Sequence, residues 1–232
     1  MKIFFLHDPK LLLYGFCIIF FGSYGQTFFI ALFNNDIKIL YNLSDGEFGL
    51  VYALSTTLSA LLIINFAKLI DFIDLRIYSF MITLGMFLAC LAFYFFSSNI
   101  IFLFIILFAL RFFGQGAMTH AGITTMTRYF GKDRGKAIST GNLGGMVGIM
   151  FLPLLVVYLN NHFSFKQIWL LSSLSLIFFT PILYMLLNDQ TERQNKFIES
   201  RDNTKKLWTT IDVLRNKKFL TYLPLTTSFS FI

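Results

Sequence analysis

One arginine stands alone in the apolar part of this sequence. Arg111 is the only charged side chain within six long apolar runs, and it is the twelfth residue of the run that begins at Ile100. At about 1.5 Å per helical residue, it would lie roughly 18 Å along a membrane-spanning helix, near the middle of a bilayer. A charged side chain costs about 3 kcal/mol or more there. The position therefore predicts that Arg111 faces a water-filled cavity, a partner or a substrate.

The six apolar runs predict an all-α membrane protein. Each run has about 20 residues, which is the length that a helix needs to cross roughly 30 Å of hydrocarbon. The chain is 56% hydrophobic and only 13% charged, whereas soluble domains carry about 25% charged residues. Runs this continuous favour helices over the alternating strands of a barrel. The runs cover residues 11–33, 48–67, 77–96, 100–119, 137–161 and 167–188.

Basic residues lie mainly on one side of the predicted membrane. If the N-terminus is cytoplasmic, the inner segments contain sixteen of the nineteen Lys and Arg residues, and the outer segments contain only Lys38 and Lys166. The positive-inside rule favours this orientation in a cell (inner or plasma) membrane. The net charge of +7 therefore reflects topology, and we expect no nucleic acid partner. The sequence indicates neither a cofactor nor a metal site.

The apolar runs also divide the chain into parts. Residues 1–187 are predicted to form a six-helix transmembrane bundle, and residues 188–218 a polar cytoplasmic loop. A last apolar stretch, 219–232, has 14 residues and is too short to cross a bilayer. We expect it to be the start of a truncated seventh helix, so that the chain is a fragment of a longer protein. At the second run, Ser44 and Glu47 have the spacing of a capping box.

Several uncharged polar residues in the runs are candidates for the same cavity as Arg111. At helical spacing, Gln115, Met118 and Gly122 share the face of Arg111. Gln26 in the first run and Asn142 in the fifth could each line the cavity or form a hydrogen bond between helices.

The fifth run also contains closely spaced glycines. Gly141 and Gly145 have the GxxxG spacing, and Gly148 forms a second such pair with Gly144. This spacing allows close helix packing, and it is also compatible with a surface on which two bundles rock.

Four stretches together form a pattern that resembles a known family. The turn 67–76 is similar to the loop G-x-x-x-D-R-x-G-R-R of major facilitator superfamily transporters, with Asp71 and Arg76 in place. Ala67, Phe72 and Asp74 depart from that motif. The stretch from Leu110 through Arg111 to Gly116 resembles the membrane-embedded arginine motif of the same superfamily. Residues 21–30 and 134–153 resemble bacterial members near the monocarboxylate-porter type.

The resemblance implies the N-terminal half of a 12-helix transporter that works by alternating access. It implies that Arg111 contributes to substrate binding or to coupling with a proton, and that Asp71 latches the cytoplasmic side against the other half. Asp71 would then lack its partners in this chain. A fixed cation favours a small organic anion such as a carboxylate as the solute. Because Ile149 follows Gly148, the glycine pair of the antiporter signature is absent, which favours a symporter-like protein.

Two alternatives to this hypothesis remain. A homodimer of the six-helix unit would also supply twelve helices. An intramembrane enzyme is disfavoured because the sequence has no GxSxG serine motif and no cluster of aspartates within the runs. We therefore expect that the protein is not an enzyme and that its partners are a solute, the bilayer, and a missing C-terminal half or a second copy.

Overall fold

The computed structural model consists of helices joined by short turns over the residues that it describes, which are 8–95, 99–188, 190–192, 194–195, 215–217 and 219–221. The chain divides into two compact units, Met1–Thr191 and Glu192–Ile232. The predicted loop 188–218 and the predicted seventh helix 219–232 lie mostly outside the described residues. In the second unit, the hydroxyl of Thr221 donates a hydrogen bond to the carbonyl of Lys217, one helical turn earlier (2.9 Å).

In the described part of the first unit, six helices are long and apolar enough to cross a membrane. This confirms the predicted multi-pass, all-α fold with six spans. The fourth helix extends beyond its apolar run, to Tyr129. We number the helices as spans 1 to 6, which cover Pro9–Ala31, Asp45–Asp71, Leu75–Phe95, Ile100–Tyr129, Gly131–Leu159 and Phe165–Leu186.

Four of the six spans contain segments that are not α-helix, and a short extra helix, Asn34–Tyr41, lies between spans 1 and 2. The components are Pro9–Gly22, the 3₁₀ turn Ser23–Gly25 and Thr27–Ala31 in span 1; Asp45–Phe66 and the 3₁₀ turn Ala67–Asp71 in span 2; Ile100–Leu110, the π-helix Arg111–Met118 and Thr119–Tyr129 in span 4; and the 3₁₀ turn Gly131–Asp133 with Arg134–Leu159 in span 5.

Side chains that accept hydrogen bonds from free backbone N–H groups set the starts of several spans. The predicted capping box of span 2 is confirmed, since Glu47 N donates to Ser44 Oγ (3.3 Å) and Ser44 N donates to Glu47 Oε2 (2.8 Å). Ser164 and Gln167 form a second capping box at span 6. These caps satisfy donors that have no partner inside the helix.

Span 1 lies in the middle of the bundle and packs against spans 4, 5 and 6. In its most apolar stretch 56% of the residues are buried, against 17% in span 2 and 22% in span 5. Span 3 packs against spans 4 and 6, and span 2 packs mainly against span 4. Spans 2 and 5 therefore present the largest uncovered faces of the six.

The first apolar run was expected to form one helix, and this prediction was wrong in detail. The helix is interrupted at Gln26, whose ψ of 153° is extended. The cause is a backbone crossing with span 4: a Cβ on Gly25 would lie 2.0 Å from the carbonyl oxygen of Leu110, and one on Gly114 would lie 2.7 Å from the Cα of Gly25. Only glycine fits on both sides of this contact.

The short second half of span 1 is held in place by contacts with span 6. The Tyr24 hydroxyl forms a hydrogen bond with the Ser175 hydroxyl (2.9 Å). The rings of Phe29 and Trp169 meet edge to face, with centroids 5.3 Å apart. These contacts fix the position of Thr27, which lies directly after the break.

The glycines of span 5 face span 1, but not all of them need to be small. A Cβ on Gly144 would lie 2.0 Å from the carbonyl oxygen of Phe16, and one on Gly148 would lie 2.3 Å from the hydroxyl of Ser23. At Gly141 and Gly145 the nearest atoms would be 3.4 Å and 3.3 Å away, both on Ile19. The 144/148 pair therefore sets the closest approach of spans 1 and 5.

This difference predicts the effects of alanine substitutions on stability. We expect Gly144→Ala to lower the melting temperature of the purified protein markedly, with a loss of about 1–3 kcal/mol, because span 5 must move away from Phe16. Gly49→Ala is the matched control, since a Cβ there would meet nothing within 4 Å and alanine favours the helix. Equal melting temperatures for Gly144→Ala and the wild type, measured in detergent, would contradict the packing described here.

Candidate functional site

Arg111 opens the π-helical segment of span 4 and is 7% exposed. Its terminal nitrogen Nη1 donates hydrogen bonds to the hydroxyl of Thr27 (3.0 Å) and to the carbonyl of Gly25 (3.4 Å). Both acceptors lie at the break in span 1, where carbonyls lose their helical partners. The guanidinium carbon lies 5.5 Å from the ring centroid of Tyr52 in span 2, a cation–π contact. Arg111 thus joins three spans.

The charge of Arg111 has no carboxylate beside it among the residues that the structure describes. Its Nε is buried and has no hydrogen-bond partner in the same part of the chain. A buried charge is expensive unless it is paired. The hydroxyl, carbonyl and ring contacts offset part of that cost, and an anionic ligand would offset more.

A recess of about 210 Å³ lies beside this guanidinium, between spans 2 and 4. We call it the Arg111 recess. Span 2 contributes Thr56 and Ser59, and span 4 contributes Gln115 and Gly116 together with Arg111. The Thr56 hydroxyl is buried with no hydrogen-bond partner among the described residues. The recess therefore combines one cation with uncharged donors, which suits a small anion that also accepts or donates further hydrogen bonds.

The π-helix changes which residues accompany Arg111. Gln115 lies in the recess beside Arg111, as its helical spacing suggested. Met118 and Gly122 were expected on the same face, but both are buried against span 1, near Gly22 and Ile19 respectively. A π-helix closes its hydrogen bonds from i to i+5, so it rotates later residues relative to an α-helix.

Gln26 and Asn142 lie outside the Arg111 recess. Gln26 is half-buried at the break of span 1, where its backbone carbonyl accepts hydrogen bonds from Phe29 N and Ile30 N (both 3.2 Å). Asn142 is exposed on span 5, next to glycines that face span 1. The structure brings neither side chain together with Arg111.

Sequence reasoning missed the contribution of span 2 to the site. Tyr52, Thr56 and Ser59 are spaced four and three residues apart, so they share one face of a helix. That spacing was visible, but hydroxyl groups in membrane helices often bond to backbone carbonyls instead of lining a cavity. Ser55 does so across the helix interface, where it donates to the carbonyl of Phe104 in span 4 (3.1 Å). Only the packing of span 2 against span 4 shows which hydroxyls line the recess and which bond to a backbone carbonyl.

A second cluster lies at the end of the bundle formed by the turn 67–76 and residues 128–136, which we call the basic end. Asp71 was expected to pair with the other half of the transporter, and within this chain it has a partner that the sequence did not suggest. Its carboxylate forms an ion pair with Arg128 of span 4, whose other terminal nitrogen donates to the carbonyl of Ile70 (3.1 Å). Both side chains are mostly buried. The pair joins the ends of spans 2 and 4.

Arg76 joins spans 3 and 6 at the same end. Its Nε donates to the carbonyl of Leu187 (2.6 Å), and its guanidinium carbon lies 5.6 Å from the ring centroid of Tyr184. The two residues that match the superfamily turn motif, Asp71 and Arg76, therefore each join neighbouring helices. Arg128 was counted in the sequence only as a topological charge.

A bundle of six spans with a buried guanidinium beside a polar recess, and with no carboxylate next to it among the described residues, is typical of membrane transport proteins. The family model for the Major Facilitator Superfamily matches residues 5–232, and the chain belongs to this superfamily of membrane transporters. Its members transport small-molecule solutes across membranes and are not enzymes. The chain has no significant match among curated proteins or among solved structures.

The geometry predicts that water reaches the Arg111 recess. In a chain with Cys17 and Cys90 replaced by alanine, we expect a charged methanethiosulfonate to modify Gln115→Cys faster than Leu88→Cys by on the order of tenfold or more. Leu88 is 53% exposed on span 3, where lipid covers it, and a thiol in hydrocarbon does not form the reactive thiolate. Equal, slow labelling at both positions in membranes would exclude an aqueous recess.

Proposed function

We propose that this protein takes part in secondary active transport of a small organic anion, such as a carboxylate, by alternating access. The main support is the guanidinium of Arg111, which is buried, has no carboxylate beside it among the described residues, and borders the Arg111 recess. A carboxylate would accept two parallel hydrogen bonds from Arg111 and neutralise its charge. Thr56 and Gln115 would then hydrogen-bond the rest of the solute.

We also propose that the six spans work against a second bundle of six. In this family fold, the solute site lies near the bilayer midplane between two halves that rock against each other. Spans 2 and 5 have the largest uncovered faces, and the Arg111 recess lies along span 2. A C-terminal half or a second copy of this chain could supply the missing wall. The likeness of residues 21–30 and 134–153 supports a place near the bacterial monocarboxylate-porter type.

The basic end would face the cytoplasm in this proposal, with the N-terminus also cytoplasmic and the protein in the inner or plasma membrane. The support is the asymmetry of Lys and Arg residues. The Asp71–Arg128 pair would lock the cytoplasmic ends of spans 2 and 4 while the other half moves. For coupling to a proton, a titratable group must be near the solute. The described residues that line the Arg111 recess include no acid and no histidine, so we place that group on the second bundle or on the solute itself.

Loss of the buried cation should abolish uptake. In the transporter assembled with its second bundle, we expect Arg111→Ala to reduce uptake of labelled mono- and dicarboxylates by on the order of 100-fold or more, because removing one partner of a buried, hydrogen-bonded charge pair costs about 2–5 kcal/mol. Membrane insertion, measured by surface labelling, should stay normal. Arg134→Ala removes an exposed cation at the basic end and should transport normally. Normal uptake by Arg111→Ala at normal expression would leave Arg111 a structural role only.

The need for a second bundle can be tested by varying the number of chains per vesicle. We expect proteoliposomes that hold a single copy of this chain to show no carboxylate uptake, since one bundle cannot enclose the site from both sides. Uptake that rises with the square of chain density would favour the homodimer over a distinct second half. Uptake proportional to chain number at single-copy density would refute the two-bundle arrangement.

A further inference from the structure

A groove that shares no lining residue with the Arg111 recess runs between spans 3 and 6 at the basic end. Its volume is about 670 Å³, more than three times that of the Arg111 recess. Ile77 and Phe80 line it from span 3, and Pro181 and Met185 line it from span 6. Ile77 is 58% exposed and Met185 is 71% exposed. The transport site proposed above uses none of these residues.

The interior of this groove accepts hydrocarbon rather than a polar solute. Of the described residues that line it, Thr180 is the only polar one besides Arg76 and Tyr184, and its hydroxyl already donates to the carbonyl of Leu176 (2.8 Å). Pro181 has no N–H to offer. A polar ligand would lose its hydration without gaining hydrogen bonds there.

One cation stands at the end of the groove, and its position is fixed. The Nε of Arg76 is held by the carbonyl of Leu187 and its guanidinium is held over the ring of Tyr184. Its two terminal nitrogens have no hydrogen-bond partner in the described parts of the chain. The nearby carboxylate of Asp74 is already bonded by the backbone N–H of Arg76 (2.7 Å) and by the hydroxyl of Thr191 (2.5 Å). Two fixed, free donors of this kind match a phosphate.

The position of Arg76 along span 3 indicates which kind of phosphate it would meet in a membrane. Arg76 is the second residue of span 3, so it lies at the level of the lipid headgroups, while the groove extends from there into the hydrocarbon. We propose that the groove binds one acyl chain of an anionic phospholipid and that Arg76 binds the phosphate of the same molecule. The exposed Lys68 at the same end adds to the attraction for an anionic headgroup over a zwitterionic one.

Two substitutions test the two ends of this lipid site separately. Arg76→Gln removes the charge, and Met185→Trp fills the groove without touching the contact between Arg76 and Leu187. Their matched controls are Arg134→Gln, an exposed cation at the basic end, and Met150→Trp on span 5, where Met150 is 74% exposed. All four proteins are purified as the full chain, and melting temperatures confirm that each is folded.

The readout is native mass spectrometry after incubation with phosphatidylglycerol or phosphatidylcholine. We expect the wild type and both controls to retain one phosphatidylglycerol, and both groove variants to retain about tenfold less, which corresponds to about 1.4 kcal/mol. Equal retention of the two lipids by the wild type would overturn the proposed anionic class. If Arg76→Gln loses phosphatidylglycerol and Met185→Trp retains it, the lipid lies on the outer surface, and the proposed binding of an acyl chain in the groove is refuted.

Discussion

The structure depends on a guanidinium that is buried in the middle of the bundle and is bonded to the ends of a broken helix. Arg111 can reach the break because Gly25 and Gly114 bring the backbones of spans 1 and 4 into contact. The break in turn supplies the acceptors that make burial of Arg111 tolerable. Neither feature would be stable alone: an unbroken span 1 would offer no free carbonyl, and a break without Arg111 would leave backbone groups unsatisfied in the membrane.

This mutual dependence also gives the site its chemical character. The hydroxyl, carbonyl and ring that surround Arg111 are neutral, so they stabilise the cation without cancelling its charge. At the basic end the opposite arrangement holds, since the charge of Arg128 is paired with Asp71. A paired charge joins helices, whereas an unpaired charge beside a recess is available to a ligand. The Arg76 guanidinium lies between these cases, because its contacts are neutral and our proposal places it at headgroup level.

Much of the fold could be predicted because the hydrophobicity and length of each run decide whether it can cross a membrane, without reference to other parts of the chain. The six spans and the capping box at Ser44 follow from local patterns. The break at Gln26 and the π-helix at Arg111 do not, since both arise where two backbones cross. The site was predicted only in part. Arg111 and Gln115 lie together as their spacing suggested, but the wall formed by Thr56 and Ser59 required the packing of span 2.

The sequence by itself determined that the chain has six runs long enough to cross a membrane, all of them helices among the described residues, and that Arg111 is the one charged residue within those runs. These are consequences of hydrophobic length and of the cost of burying a charge, and both can be evaluated without knowing the neighbours. The tertiary structure alone decided that Thr27 and Tyr52 contact Arg111, that Asp71 pairs with Arg128, and that Asn142 lies apart from the recess. Such pairings depend on helix rotation and close approach, which small residues permit but do not specify in a linear pattern.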